Sequence, residues 1–222
     1  MVAFPNIRSG YSRSERISDG VVHVIGVALA LVAVPALIAL TAIHRAEPAA
    51  IVGASIYGTT LILMLGFSAL YNLIDSARWN GLLRRLDHSA IYVKIAGTYT
   101  PFVLLSGAPA TGLLTGLWGS AAIGSVLKML APGRFRWFAL SLYLAMGWAI
   151  VFAGFALLDA LPWGVLAPMI AGGVIYTAGV AFHLLDRLPF HNTIWHVFVL
   201  LGSVLFFVAV ALLIAGMQIE GR

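Results

Sequence analysis

The chain has 222 residues, no cysteine, 13 Lys+Arg and 8 Asp+Glu, and 61% of it is apolar. Its 9% of charged residues is far below the roughly 25% of an ordinary soluble domain, so a soluble enzyme and a disordered chain are both excluded. Without cysteine there is no disulfide framework and no thiolate metal site. The net charge of +5 fits basic loops at a membrane surface better than a nucleic-acid interface.

The apolar content suffices for six or seven spans at about 20 residues each. Apolar runs and their breakers predict seven: Val21–Ile43, Ala50–Leu73, Leu83–Leu105, Gly112–Leu130, Phe135–Leu158, Leu161–Leu185 and Thr193–Met217. Connections marked by Pro48, Pro109, Pro132-Gly133, Pro162 and Pro189 are short, so consecutive helices should be antiparallel neighbours in one bundle. The runs are too long and too evenly apolar for the alternating strands of a membrane barrel, and open strand edges in lipid would leave backbone groups unpaired. The fold expected is an all-α membrane protein, a seven-transmembrane helical bundle. Residues 1–20 form a cytoplasmic N-terminal segment, 21–217 the membrane domain and 218–222 a tail. The tail Ile219-Glu220-Gly221-Arg222 has the form of a protease-site remnant and is set aside. No cleavable signal peptide is expected, because the first apolar run is too long for one.

Basic residues orient the bundle. Arg8, Arg13, Arg16, Arg78, Arg84, Arg85, Lys128, Arg134, Arg136 and Arg187 fall on one side, against Arg45 and Arg222 on the other. This bias places the N-terminus in the cytoplasm and the C-terminus outside.

Polar groups at membrane depth are scarce and therefore informative. His23 opens the first span, Ser68 and Asn72 close the second, Asp87 and His88 open the third, His183 closes the sixth, and His191, Asn192 and His196 open the seventh. All lie at the predicted cytoplasmic end. Lys94 follows Asp87 by seven residues, about 10.5 Å up the same helix face, and an Asp87–Lys94 pair is expected, its plainest role being structural. Asn192 is the i−4 neighbour of His196, while His191 is turned away around the helix. Spacing alone assigns no metal, since His-x4-His is a weak pattern beside His-x3-His.

The run Leu86-Asp87-His88-Ser89-Ala90-Ile91-Tyr92, continued by Ile95-Ala96-Gly97-Thr98-Tyr99-Thr100-Pro101-Phe102, resembles the third-helix signature of hemolysin III-related proteins. Ile194-Trp195-His196-Val197-Phe198-Val199-Leu200-Leu201-Gly202-Ser203 resembles their seventh-helix signature. Ser68-Ala69-Leu70-Tyr71 and His23-Val24-Ile25-Gly26 are similar to their second and first helices. The resemblance implies the fold of the progestin and adipoQ receptors and a place beside alkaline ceramidases among membrane hydrolases. It also implies a metal, zinc, held near the cytoplasmic face by a Ser-x3-His, an Asp and a His-x3-His.

Carried over, Ser68, Asp87 and His196 match that pattern. Asn72 and Asn192 stand where two histidines belong, and Lys94 stands where an apolar residue is usual. An amide oxygen is a poor zinc ligand, so three functions stay open. In the first, a metal persists on His196 and Asp87 with His191 or His183, and the protein hydrolyses lipid amides or esters, with Asp87 and Ser68 catalytic. In the second, the site is degenerate, Lys94 replaces the metal's charge, and the protein senses or regulates membrane state. The third, a pore or cytolysin, ranks last because the outer half of the bundle carries almost no polar groups. Composition says nothing about oligomeric state.

Overall fold

Helix α1 begins earlier than hydropathy alone predicts. In a computed structural model, which describes residues 11–45, 47–131, 136–185 and 187–216, α1 spans Arg13–His44. Ser12 caps it: its hydroxyl accepts from the Glu15 backbone N–H, and the Glu15 carboxylate accepts in turn from the Ser12 N–H at 2.8 Å. The two orphan donors of the first turn are thus satisfied reciprocally. The helix has 32 residues, about 48 Å of rise, well beyond the ~30 Å of bilayer hydrocarbon.

The remaining helices are α2 (Pro48–Leu73), α3 (Asn80–Leu105), α4 (Thr111–Leu130), α5 (Arg136–Gly147), α6 (Ala149–Ala153), α7 (Phe155–Ala160), α8 (Trp163–Leu184) and α9 (His191–Gly216). No strand occurs among the described residues. Pro132-Gly133, Arg134 and Phe135, with Arg8, Met217 and the tail, lie outside the described residues. Five helices (α1, α2, α4, α8 and α9) are long and apolar enough to cross a membrane.

Two predicted spans differ from that description, each for a physical reason. Arg84, Arg85, Asp87 and Lys94 lower the apolarity of α3, yet α3 is the central helix, packed against α2, α4, α5 and α9. Its polar positions face protein, and Tyr92, Ala96, Phe102 and Pro101 are fully enclosed. The predicted single span Phe135–Leu158 is instead the broken column α5–α6–α7. Tyr99 of α3 inserts its hydroxyl at the first break, donating to the Gly147 carbonyl at 2.7 Å and accepting from the Ile150 N–H at 3.3 Å. A side chain entering the i→i−4 ladder is a recognised cause of a kink.

Packing is close where small residues allow it. A Cβ on Gly58 would come within 2.3 Å of Val34, and one on Gly97 within 2.3 Å of the Thr60 hydroxyl. Van der Waals contact of this kind drives helix association where the surrounding solvent is itself apolar. By contrast, Gly66, Gly116 and Gly119 have open space around their missing Cβ and serve no helix contact. The outward faces are lined with large apolar side chains such as Leu29, Val32, Ile43, Leu130 and Phe152, a surface that water alone would not leave uncovered.

Candidate metal centre

The first turns of α1 and α9 and the last turns of α2 converge on Asp19. The α1 and α9 ends are tied together by Glu15, whose second carboxylate oxygen accepts from the Phe190 N–H at 2.9 Å. That bond holds Phe190, a bulky residue at φ 59°, in the left-handed region that such side chains avoid. Ser18 and Thr193 hydroxyls meet at 3.1 Å one turn further in. Two linkages at successive turns fix the register of α1 against α9.

Within that register, Asp19, His23 and His196 lie buried at 7%, 6% and 9% exposure. One potential ligand atom from each lies within 4.8 Å of the others. His196 Nδ1 donates to Asp19 Oδ1 at 2.7 Å, and for a neutral ring this leaves Nε2 as the nitrogen with the lone pair. His23 Nδ1 donates to the Asp19 backbone carbonyl at 2.8 Å. A carbonyl can only accept, so His23 Nε2 is the lone-pair nitrogen of its neutral ring, and it meets the Ser68 hydroxyl at 3.3 Å. The two rings sit edge to face, 4.2 Å between centroids.

The two asparagines support this group. Asn192 Nδ2 donates to Asp19 Oδ2 at 3.1 Å and approaches Asn72 Oδ1 at 3.4 Å, and Asn72 Nδ2 donates to the Ser68 carbonyl at 2.9 Å. Both carboxylate oxygens of Asp19 are therefore occupied, one by imidazole and one by amide. Asp87 of α3, partly buried, approaches from the other side, against Ser68 and within electrostatic reach of His196. Tyr11, Glu15, Phe190 and Thr193 line the side of Asp19 away from the bundle interior and leave no room for a water molecule between them.

The donor chemistry suits a divalent metal. Two imidazoles and one carboxylate are a ligand set found in catalytic zinc sites, which keep a fourth position open, and hydrogen bonds to the remaining ligand atoms are the usual support. Asp87 and His191 do not belong to the group of three, and Asn72 and Asn192 meet it through hydrogen bonds.

The structure thus gathers His23, Ser68, Asn72, Asp87, Asn192 and His196 into one place. It leaves four of the sequence candidates elsewhere. His191 donates through Nδ1 to the Leu188 carbonyl at 3.1 Å and contacts the Tyr11 hydroxyl through Nε2 at 3.2 Å. His183 is exposed, its ring 5.2 Å from that of Trp195. His88 faces Tyr71, ring to ring at 6.3 Å.

Lys94 corrects the expected Asp87–Lys94 pair. At 3% exposure, its ammonium donates to the Thr98 hydroxyl at 2.6 Å and lies over the rings of Tyr57 and Phe206 at 5.0 and 5.3 Å. Thr98 is one turn away and Asp87 nearly two, and the aromatic faces lie on the Thr98 side, so the side chain turns from the carboxylate.

Asp19 is the residue that the hydropathy reading missed, because the predicted span starts at Val21. The signal was the capping box Ser12-Arg13-Ser14-Glu15. Starting the helix there puts Asp19 and His23 four apart on one face.

A helical protein with lipid-facing apolar exteriors and an interior carboxylate held by imidazoles and amides is, as a class, an integral membrane protein with a polar centre. The chain belongs to the Haemolysin-III related family, whose profile matches residues 11–207. It is 38% identical over 201 residues to Hemolysin-3 of Bacillus cereus, covering 88% of this chain and 90% of that protein. It is 36% identical over 204 residues to a Hemolysin-3 homolog of Bacillus subtilis, with 90% and 94% covered. Human monocyte to macrophage differentiation factor is 28% identical over 195 residues, with 82% and 79% covered.

Proposed function

We propose that the protein is a metal-dependent hydrolase of lipid amide or ester bonds, its centre lying at the cytoplasmic leaflet of a bacterial inner membrane. In this reading α3 crosses as the protein-enclosed middle helix and α5–α7 together make one crossing. The bundle then has seven crossings, with the N-terminus inside. The observation that carries the proposal is the buried Asp19–His23–His196 group, three ligand atoms within 4.8 Å at the foot of helices that contact lipid.

Asp19, His23 and His196 would hold zinc, which when bound supplies Lewis acidity and lowers the pKa of a coordinated water. Asn192 and Asn72 fix the Asp19 carboxylate and the end of α2. Asp87, against Ser68, would take a proton from the attacking water as general base. The Ser68 hydroxyl, which lies between His23 Nε2 and Asp87, would donate to the developing oxyanion. Elemental analysis of the purified protein, paired with hydrolysis of a fluorescent long-chain acyl amide, tests this. Near-stoichiometric zinc that is lost in His196→Ala and Asp19→Ala, with activity lost in parallel, is the expected result. Metal-free, inactive protein overturns it.

A second reading has its own observation. The 2.7 Å contact between His196 and Asp19 already satisfies both groups, and a closed pair of this kind needs no metal. The protein would then be a non-catalytic sensor of membrane state, and the same elemental analysis separates the two readings.

A further inference from the structure

A second set of ionisable groups lies where α3 meets α4 and α8 and takes no part in the Asp19 centre. Helices α3 and α4 are stitched by a reciprocal pair: the Ser89 hydroxyl donates to the Ser125 carbonyl and the Ser125 hydroxyl to the Ser89 carbonyl, each at 3.4 Å. In antiparallel helices this register sets the residues just before Ser89 against those just after Ser125. Arg84 and His88 are thereby brought to Lys128, and each lies within electrostatic reach of the others. His183 of α8 approaches His88 from a third element. Tyr143 of α5 donates to the His88 carbonyl at 2.9 Å and so pins that turn of α3 in place.

All four groups are basic. Lys128 is 8% exposed, and His88 Nδ1 is buried without a hydrogen-bond partner. Among the described residues neither Lys128 nor His88 takes part in an ion pair with a carboxylate. The neighbouring Asp87 is turned to Ser68 and His196. Basic residues that merely mark a cytoplasmic loop are solvated, as the exposed Arg136 is. Gathering and half-burying like charges costs free energy unless an anion completes the group.

We propose that Arg84, His88, Lys128 and His183 form a binding site for the phosphate of an anionic lipid headgroup, at the membrane face where α3 begins and α4 and α8 end. A phosphate accepts from several donors at once. Basic pockets between membrane helices on this side suit anionic headgroups. The site requires neither a bound metal nor catalysis at Asp19.

The test uses the full chain in nanodiscs of phosphatidylcholine with increasing phosphatidylglycerol, read by thermal unfolding and by lipid retention in native mass spectrometry. Phosphatidylglycerol should bind and stabilise the wild type where phosphatidylcholine does not. Lys128→Gln should weaken that binding about fivefold, the worth of one cation near a membrane surface. Lys128→Arg should retain it, and Arg136→Gln, an exposed basic control, should change it less than twofold. Inorganic phosphate is the third arm: protection equal to that of phosphatidylglycerol would overturn the lipid as the source. Equal retention of the two lipids by the wild type, or equal phosphatidylglycerol affinity in wild type and a folded Lys128→Gln, overturns the site. Should Lys128→Gln fail to fold, wild-type retention and the Lys128→Arg comparison still decide.

Discussion

Two places in the bundle bury ionisable groups, and they do so by opposite means. Around Asp19, charge is shared across helices: His23 and Asp19 come from α1, His196 and Asn192 from α9, and Asn72 and Ser68 from α2. Around Lys94, a single cation hydrogen-bonds only within its own helix, to the Thr98 hydroxyl one turn on, and α2 and α9 supply the faces of Tyr57 and Phe206. The first arrangement joins three helices through polar atoms that each have a partner. In the second, aromatic quadrupoles supply what a carboxylate would otherwise supply. A shared polar centre and a merely tolerated buried charge are thus distinguished by what the neighbouring helices supply: hydrogen-bonding atoms from each around Asp19, aromatic faces alone from α2 and α9 around Lys94.

The largest expected effect breaks the first region. Asp19→Ala removes the acceptor of both His196 and Asn192 and should cost about 3–5 kcal/mol, the usual loss when one partner of a buried pair is deleted. Thermal unfolding in detergent measures it. A loss below about 1 kcal/mol, within the range of an exposed ion pair, would mean that the three-helix linkage contributes little.

Lys94→Met should act in the opposite direction, raising stability by about 2 kcal/mol, since it removes a desolvated charge with no carboxylate partner and keeps the volume. Read from sequence as the partner of Asp87, the same lysine predicts a loss. A double-mutant cycle with Asp87→Asn decides: additivity within about 0.5 kcal/mol fits separate sites, and a larger coupling restores the pair.

How far the sequence reaches follows the same division. Apolar periodicity locates α1, α2, α4, α8 and α9 to within a few residues at most ends, because continuous hydropathy is a local property. The foot of α1 escapes, since Arg13, Glu15, Arg16 and Asp19 look like a solvated tail until the capping box is given weight. The break at Gly147 escapes as well: its cause, Tyr99, is 48 residues away in sequence. For the candidate centre, the clustering of His23, Ser68, Asn72, Asp87, Asn192 and His196 at one end of their helices is legible from helix direction. Side-chain direction is not, and it is what separates His196 from His191 and turns Lys94 away from Asp87.

A smaller effect sharpens the role of the amides. Asn192→Leu should cost about 1.5 kcal/mol, because Asp19 Oδ2 and Asn72 Oδ1 both lose their donor while the His196 contact remains. Zinc content measured on the same variant should fall less than in His196→Ala, since Asn192 supports Asp19 through a hydrogen bond and an amide is a poor zinc ligand. Equal zinc loss in the two variants would instead make Asn192 as necessary as the imidazole.

The smallest effect lies in the second region and depends on Lys94 itself. Thr98 accepts from the ammonium at 2.6 Å and donates to the Lys94 carbonyl at 2.7 Å. Thr98→Val keeps the shape, removes both bonds, and should cost about 1 kcal/mol by unfolding. In the Lys94→Met background the first bond no longer exists, and the second merely returns the carbonyl to its helical partner, so the same substitution should cost close to nothing. If the cost persists unchanged in that background, Thr98 serves the helix and not the lysine, and containment of the charge falls to Tyr57 and Phe206 alone.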